Sequence, residues 1–153
     1  MMSRAGLISC DNVSSGVGGP FGAVITKTGT DEVVAACGNS VTTTNDPTAH
    51  AEMNAIRNAC ATLGTFDLRG HTLYTSCEPC PMCLGGIYWA HIDKVFYSNS
   101  KIDAQNIGFD DSFIYDELDK HIVERSVPFI HLECDDAVRG FELWKQTDLK
   151  TKY

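Results

Sequence analysis

Apolar positions along the chain change their spacing several times, and each change marks an element. Leu7, Ile8 and Val13 give residues 3–13 a weak helical repeat, which stops at the breaker run Ser14-Ser15-Gly16-Val17-Gly18-Gly19-Pro20. Short apolar runs over 21–25 and 32–37 flank Thr28-Gly29-Thr30-Asp31 and read as a hairpin. Ala49, Met53, Ile56, Cys60 and Leu63 then recur at alternating spacings of four and three until Gly64. With Asp46 as N-cap and Pro47 at the first helical position, this pattern predicts a helix over 47–63 with one apolar face. Further on, the pattern predicts a strand over 71–76, a helix opened by Pro81 over 81–90 and a strand over 94–98. Helices over 112–120 and 135–146 follow, with a strand over 128–132 between them. Strands alternating with helices imply an α/β layered domain.

Length and composition narrow this picture. The 153 residues suit one compact domain over 1–153, and no repeat or low-complexity stretch divides them. At 43% hydrophobic and 21% charged residues the chain can bury a core, which excludes disorder as its main state. Twelve Lys and Arg against twenty Asp and Glu give a net charge of −8, the opposite of the basic footprint that grips nucleic acid, so none is expected as a partner. No run approaches the roughly 20 apolar residues of a membrane span. The opening Met1-Met2-Ser3-Arg4 fits no lipidation or secretory pattern. A cytoplasmic protein without membrane contact is expected. Its seven cysteines, an odd number, are then free thiols or metal ligands rather than disulfides. Cys10, Cys37, Cys60 and Cys134 read as small buried apolar residues, and His71, His91, His121 and His131 as structural.

The candidate chemistry lies at two predicted helix starts. His50-Ala51-Glu52 and Pro79-Cys80-Pro81-Met82-Cys83 match the zinc deaminase signature H-x-E…P-C-x-x-C. Zinc takes imidazole and thiolate ligands, and three protein ligands leave the fourth tetrahedral position for water. Cys80 and Cys83, three apart at a helix N-terminus, can face one ion, and the helix dipole there favours thiolate. His50 and Glu52 lie about 200° apart around a helix, so they converge only off its first turn. Two helix N-termini pointing at one zinc ion, with His50, Cys80 and Cys83 as ligands and Glu52 beside the bound water as proton shuttle, satisfy these constraints. Two alternatives stay open. Glu52 could be a solvated helix-start carboxylate, and Cys77 could be a fourth ligand that closes the site and leaves it structural.

The resemblance extends beyond the zinc residues. Residues Gly18-Gly19-Pro20-Phe21-Gly22-Ala23-Val24-Ile25, Asn45-Asp46-Pro47-Thr48-Ala49-His50-Ala51-Glu52 and Thr75-Ser76-Cys77-Glu78-Pro79-Cys80-Pro81-Met82-Cys83 resemble the cytidine deaminase-like superfamily. Within it, Ile107-Gly108-Phe109-Asp110-Asp111-Ser112-Phe113-Ile114-Tyr115 resembles the bacterial-type guanine deaminase branch. The resemblance implies a three-layer α/β/α fold with a mixed five-stranded sheet, and a homodimer in which the C-terminal segment swaps onto the partner. It implies hydrolytic deamination of guanine to xanthine and ammonia with zinc, Glu52 carrying protons to the ring and Asp111 assisting departure of the amine. It also implies that Asn39 hydrogen-bonds the purine, Phe21 forms pocket wall, and Trp89 and Tyr153 help close the pocket, across the dimer if the swap holds. As plain structure, Phe21 and Trp89 would be core, Asn39 a turn amide and Asp110-Asp111 a solvated loop pair. Competing functions are deamination of guanosine, cytosine or tRNA adenosine, and, outside enzymes, a zinc-stabilised binding module.

Overall fold

A computed structural model describes residues 1–148, Lys150 and Thr151. Its backbone contacts divide into two compact units, residues 1–113 and 114–153. In the first unit, helix α1 (Met2–Ser14) precedes the hairpin β1 (Gly22–Lys27) and β2 (Val33–Gly38), a one-turn helix α2 (Val41–Thr44) and helix α3 (Ala51–Leu63). Strand β3 (His71–Cys77), helix α4 (Pro81–Trp89), strand β4 (Lys94–Asn99) and helix α5 (Lys101–Asn106) complete it. The strands form one mixed sheet in the order β2-β1-β3-β4. β1 pairs antiparallel with β2 and β3, while β3 and β4, joined through α4, run parallel.

Strand β1 shows why this sheet is covered on both faces. Ala23, Val24 and Ile25 are all fully buried, and side chains alternate across a strand, so each face must meet a helix. Ala23 and Ile25 pack into the cluster holding Ala51, Ala55, Ile56 and Ala59 of α3 and Ile87 of α4. Small residues on α3 let it lie close against the sheet. On the opposite face α1 approaches Gly22 so closely that a Cβ there would collide with the Ala5 carbonyl and lie 2.8 Å from the Ser9 amide. Ala5 and Asn12, two helical turns apart, form the buried side of α1.

The expected helix over 47–63 begins four residues late, at Ala51. Asp46 does not cap it. Its Oδ1 instead accepts from Thr48 N at 2.8 Å and Thr48 Oγ1 at 2.7 Å, closing a local turn behind the left-handed Asn45. His50 thereby becomes the N-cap. Helix α5 was not expected, although Ser100 and Asp103 form a capping box at its start.

The second unit holds most of helix α6 (Ser112–Asp119), a 3-10 turn (Ile122–Glu124) and helix α7 (Asp135–Gln146). Glu117 ties it together, accepting from Lys120 Nζ at 2.6 Å and Ser126 N at 2.7 Å. The strand expected over 128–132 does not form, so among the described residues the sheet has four strands, not five. The segment has strand-like composition but no neighbouring strand to bond, and Ile130 and Leu132 stand 79% and 80% exposed. Cys10 and Cys134, expected to be buried, are exposed. No helix among the described residues is long and apolar enough to cross a membrane.

The α1–β1 approach gives a stability test. Gly22→Ala sets a methyl group against backbone rather than a movable side chain, and overpacking of this kind costs about 1–3 kcal/mol. Urea unfolding of the variant should show that loss with an unchanged denaturant slope; stability equal to the parent would refute the close packing.

Candidate metal and active site

Two helix starts build the centre. His50 is the N-cap of α3 with φ −67° and ψ 156°, and Cys80 is the N-cap of α4 with φ −65° and ψ 168°, followed by Pro81 at the first helical position. The His50 side chain makes no cap hydrogen bond to its helix, so the imidazole remains available to a ligand, while the Cys80 thiol meets Cys83 one turn into α4. Cys83, one turn into α4, is fully buried. His50 Nδ1 lies 3.5 Å from Cys80 Sγ and 3.5 Å from Cys83 Sγ, and the three donor atoms all fall within 4.8 Å of one another. With usual zinc–sulfur and zinc–nitrogen bonds, the nitrogen–sulfur edge of a tetrahedral site is about 3.5 Å. The donor set therefore has the spacing and the chemistry of a zinc site.

Cys77 does not join this group. Its Sγ points to the Ser100 carbonyl at 3.7 Å, and burial together with the nearby Glu52 pushes its thiol up to about 11. Among the described residues the cluster thus has three protein donors. Within it the hydrogen bond from Cys83, aided by His50, holds the Cys80 thiol below its usual range, while the same bond and burial push the Cys83 thiol up. The two sulfurs thus ionise as a pair, and a dication would displace the proton they hold between them.

Glu52 follows His50 by two residues, in the first turn of α3, and is 5% exposed. Thr75 Oγ1 donates to its Oε1 at 3.0 Å, and Cys83 Sγ approaches Oε2 at 3.7 Å. Burial raises its carboxyl above the usual range, opposed by the Thr75 bond. A solvated surface carboxylate is thereby excluded. Glu52 is a buried acid beside the metal donors, with one oxygen fixed by Thr75.

These groups open onto a cleft of about 620 Å³. It is lined by His50, Glu52, Cys77 and Cys80 of the metal region, by Gly18, Gly19, Phe21 and Asn39, and by Lys101, Phe109 and Asp111. Phe21 and Phe109 meet edge to face, with ring centroids 4.9 Å apart and planes at 88°. Asn39 is buried, and its Oδ1 accepts weakly from Val41 N at 3.4 Å. Asp111 is half-buried; desolvation and the neighbouring Cys80 raise its carboxyl, whereas Lys101 lowers it. The structure thus brings six of the nine expected site residues to one cleft, and Cys83 joins them through the metal-donor cluster. Trp89, at the end of α4, is 65% exposed and is not among the residues lining it. Tyr153 lies outside the described residues. Sequence reasoning missed Thr75, whose alternation within β3 puts it on the face of Leu73, toward α3, and assigned no role to Phe109 or Lys101.

Residues 1–99 match the family described as the cytidine and deoxycytidylate deaminase zinc-binding region. The chain is 51% identical to guanine deaminase of Bacillus subtilis over 152 residues, 99% of this chain and 96% of that one. A crystal structure of guanine deaminase from that organism superimposes with a TM-score of 0.94 at 51% identity, over 99% of this chain and 96% of the other. A tRNA-specific adenosine deaminase of Aquifex aeolicus is 47% identical over 118 residues, 77% of this chain and 74% of its own. The metal of the matched region is zinc, in agreement with the nitrogen and two sulfurs gathered here. By this match and this donor geometry, the chain belongs to the cytidine and deoxycytidylate deaminase zinc-binding family.

Proposed function

We propose that this chain deaminates guanine hydrolytically, yielding xanthine and ammonia. The observation that carries the reaction type is Glu52, a buried carboxyl held by Thr75 beside three zinc donors at the end of a cleft. Near full-length likeness to a guanine deaminase supports the base. His50, Cys80 and Cys83 hold the zinc, which when bound supplies the Lewis acidity that makes water a nucleophile near neutral pH. Glu52 removes a proton from the attacking water and delivers it to the ring nitrogen next to C2. Asp111 accepts a hydrogen bond from the exocyclic amine and carries to it the second proton of the water, taken from the new C2 hydroxyl, so that the C2–N bond breaks, the C2=O bond forms and the amine leaves as ammonia. Asn39 pairs with the polar edge of the purine, and Phe21 with Phe109 supplies the flat apolar wall.

Trp89 and Tyr153 complete the pocket in this reading from the partner of a homodimer. The unpaired, exposed 128–132 segment supports an exchange of the C-terminal unit, because a strand without a neighbour in its own chain can find one in another. One deaminase domain over 1–153, its C-terminal unit exchanged, follows. The cytoplasm suits it, since all seven cysteines are free.

Glu52→Gln keeps the shape but cannot take up the proton. Its turnover should fall by about 10² to 10⁴ with zinc content unchanged, checked by steady-state rates alongside metal analysis; activity within a few fold of the parent removes the proton carrier. Substrate choice is read by ammonia release from guanine, guanosine, adenine, cytosine and a tRNA anticodon stem. Guanine should give the highest kcat/KM. Faster release from tRNA adenosine or cytosine would replace the guanine assignment.

A further inference from the structure

One buried polar side chain outside the catalytic cluster ties together two segments of the chain that line the cleft. Asn12 lies in the last turn of α1, is 8% exposed, and does not itself line the cleft. Its Nδ2 donates to the Gly19 carbonyl at 2.8 Å and to the Asn39 carbonyl at 2.9 Å. Both amide protons are therefore committed. Its backbone carbonyl accepts from Val17 N at 3.1 Å and Gly18 N at 3.3 Å, turning the chain out of α1 into the glycine run. Gly16, Gly18, Gly19 and Asn39, all tied to or adjoining these bonds, line the cleft.

The packing around this knot is close. A Cβ at Gly18 would sit 2.5 Å from the Asn39 carbonyl and 2.8 Å from Asn12 Nδ2. A side chain at Gly18 would not fit, and the two Asn12 bonds tie the loop to the residue that follows β2. We infer that Asn12 is a positioning residue for base binding: it fixes Asn39 and the Gly18-Gly19 wall in register with each other, so that the base is gripped without a rearrangement on entry. Preorganisation of this kind lowers the ordering cost of binding and leaves the chemical step alone. The inference rests on the proposed contact between Asn39 and the base. Asn12 is far from the metal ligands in sequence and bonds none of them.

The test is steady-state kinetics on the zinc-loaded protein, comparing Asn12→Ala, Asn39→Ala and the double variant. Removing the donor shared by a buried and a part-buried carbonyl is a substantial loss, of order tenfold in affinity or more. Asn12→Ala should raise KM about tenfold or more, with kcat within about threefold and one zinc per chain retained. The double variant should raise KM no further than Asn39→Ala alone, because Asn12 acts through what Asn39 does. A parental KM in Asn12→Ala, a loss confined to kcat, or additive effects in the double variant would each overturn the proposal. Asn12→Asp, equal in shape but without the donor, repeats the comparison if Asn12→Ala does not fold. Failure of both to fold would make Asn12 a structural residue only and overturn it as well. If a base other than guanine turns over, the functional reading fails while the same comparison on that base still decides Asn12.

Discussion

His50 and Cys80 are both helix N-caps in the same extended backbone conformation, and their side chains meet at a shared point. Two helix starts meeting head to head is a demanding arrangement, since each end carries unpaired N–H groups and a partial positive charge. It is tolerated when something anionic lies between them, and here the Cys80 thiol, held below its usual range, lies beside His50 at that point. The rest of the first unit serves this meeting. The sheet sets the distance between α3 and α4, alanines let α3 approach it, and β3 delivers Thr75 to Glu52 before the chain turns into Cys80.

Glu52 shows how little freedom the arrangement leaves. Being two residues past the N-cap, it points off the same helix end as His50 yet reaches the cleft by a different path, with Thr75 holding one oxygen. Exposed, it would be an ordinary helix-start carboxylate; buried at 5% exposure, it holds its proton more tightly and can give it back. The cleft then supplies flat walls and polar edges around this acid, which is the requirement for a planar base approached from its ring.

The motif residues were legible because they match the signature H-x-E…P-C-x-x-C and because a histidine two before a glutamate can converge with it only off a helix's first turn. The strands of the first unit and α4 were equally readable from apolar runs and Pro81. Other features depend on single side chains whose choice is tertiary. Asp46 and Pro47 look like a helix start, but Asp46 bonds Thr48 instead, and that delay is what makes His50 the cap. Asn12 carries no local signal at all, since its two acceptors lie 7 and 27 residues away. The segment 128–132 has the composition of a strand, but pairing requires a neighbour that its own chain does not present. The capping box at Ser100 and Asp103 was visible and went unused.

The central claim is a three-ligand zinc site, open to water and substrate, with Cys77 outside it. Zinc K-edge X-ray absorption on the purified zinc protein measures this directly through the number and kind of ligand atoms. The account predicts two sulfurs near 2.3 Å together with two lighter atoms near 2.0 Å, one from His50 and one from solvent. A fit requiring three sulfurs would place Cys77 on the metal, close the site, and contradict the catalytic reading.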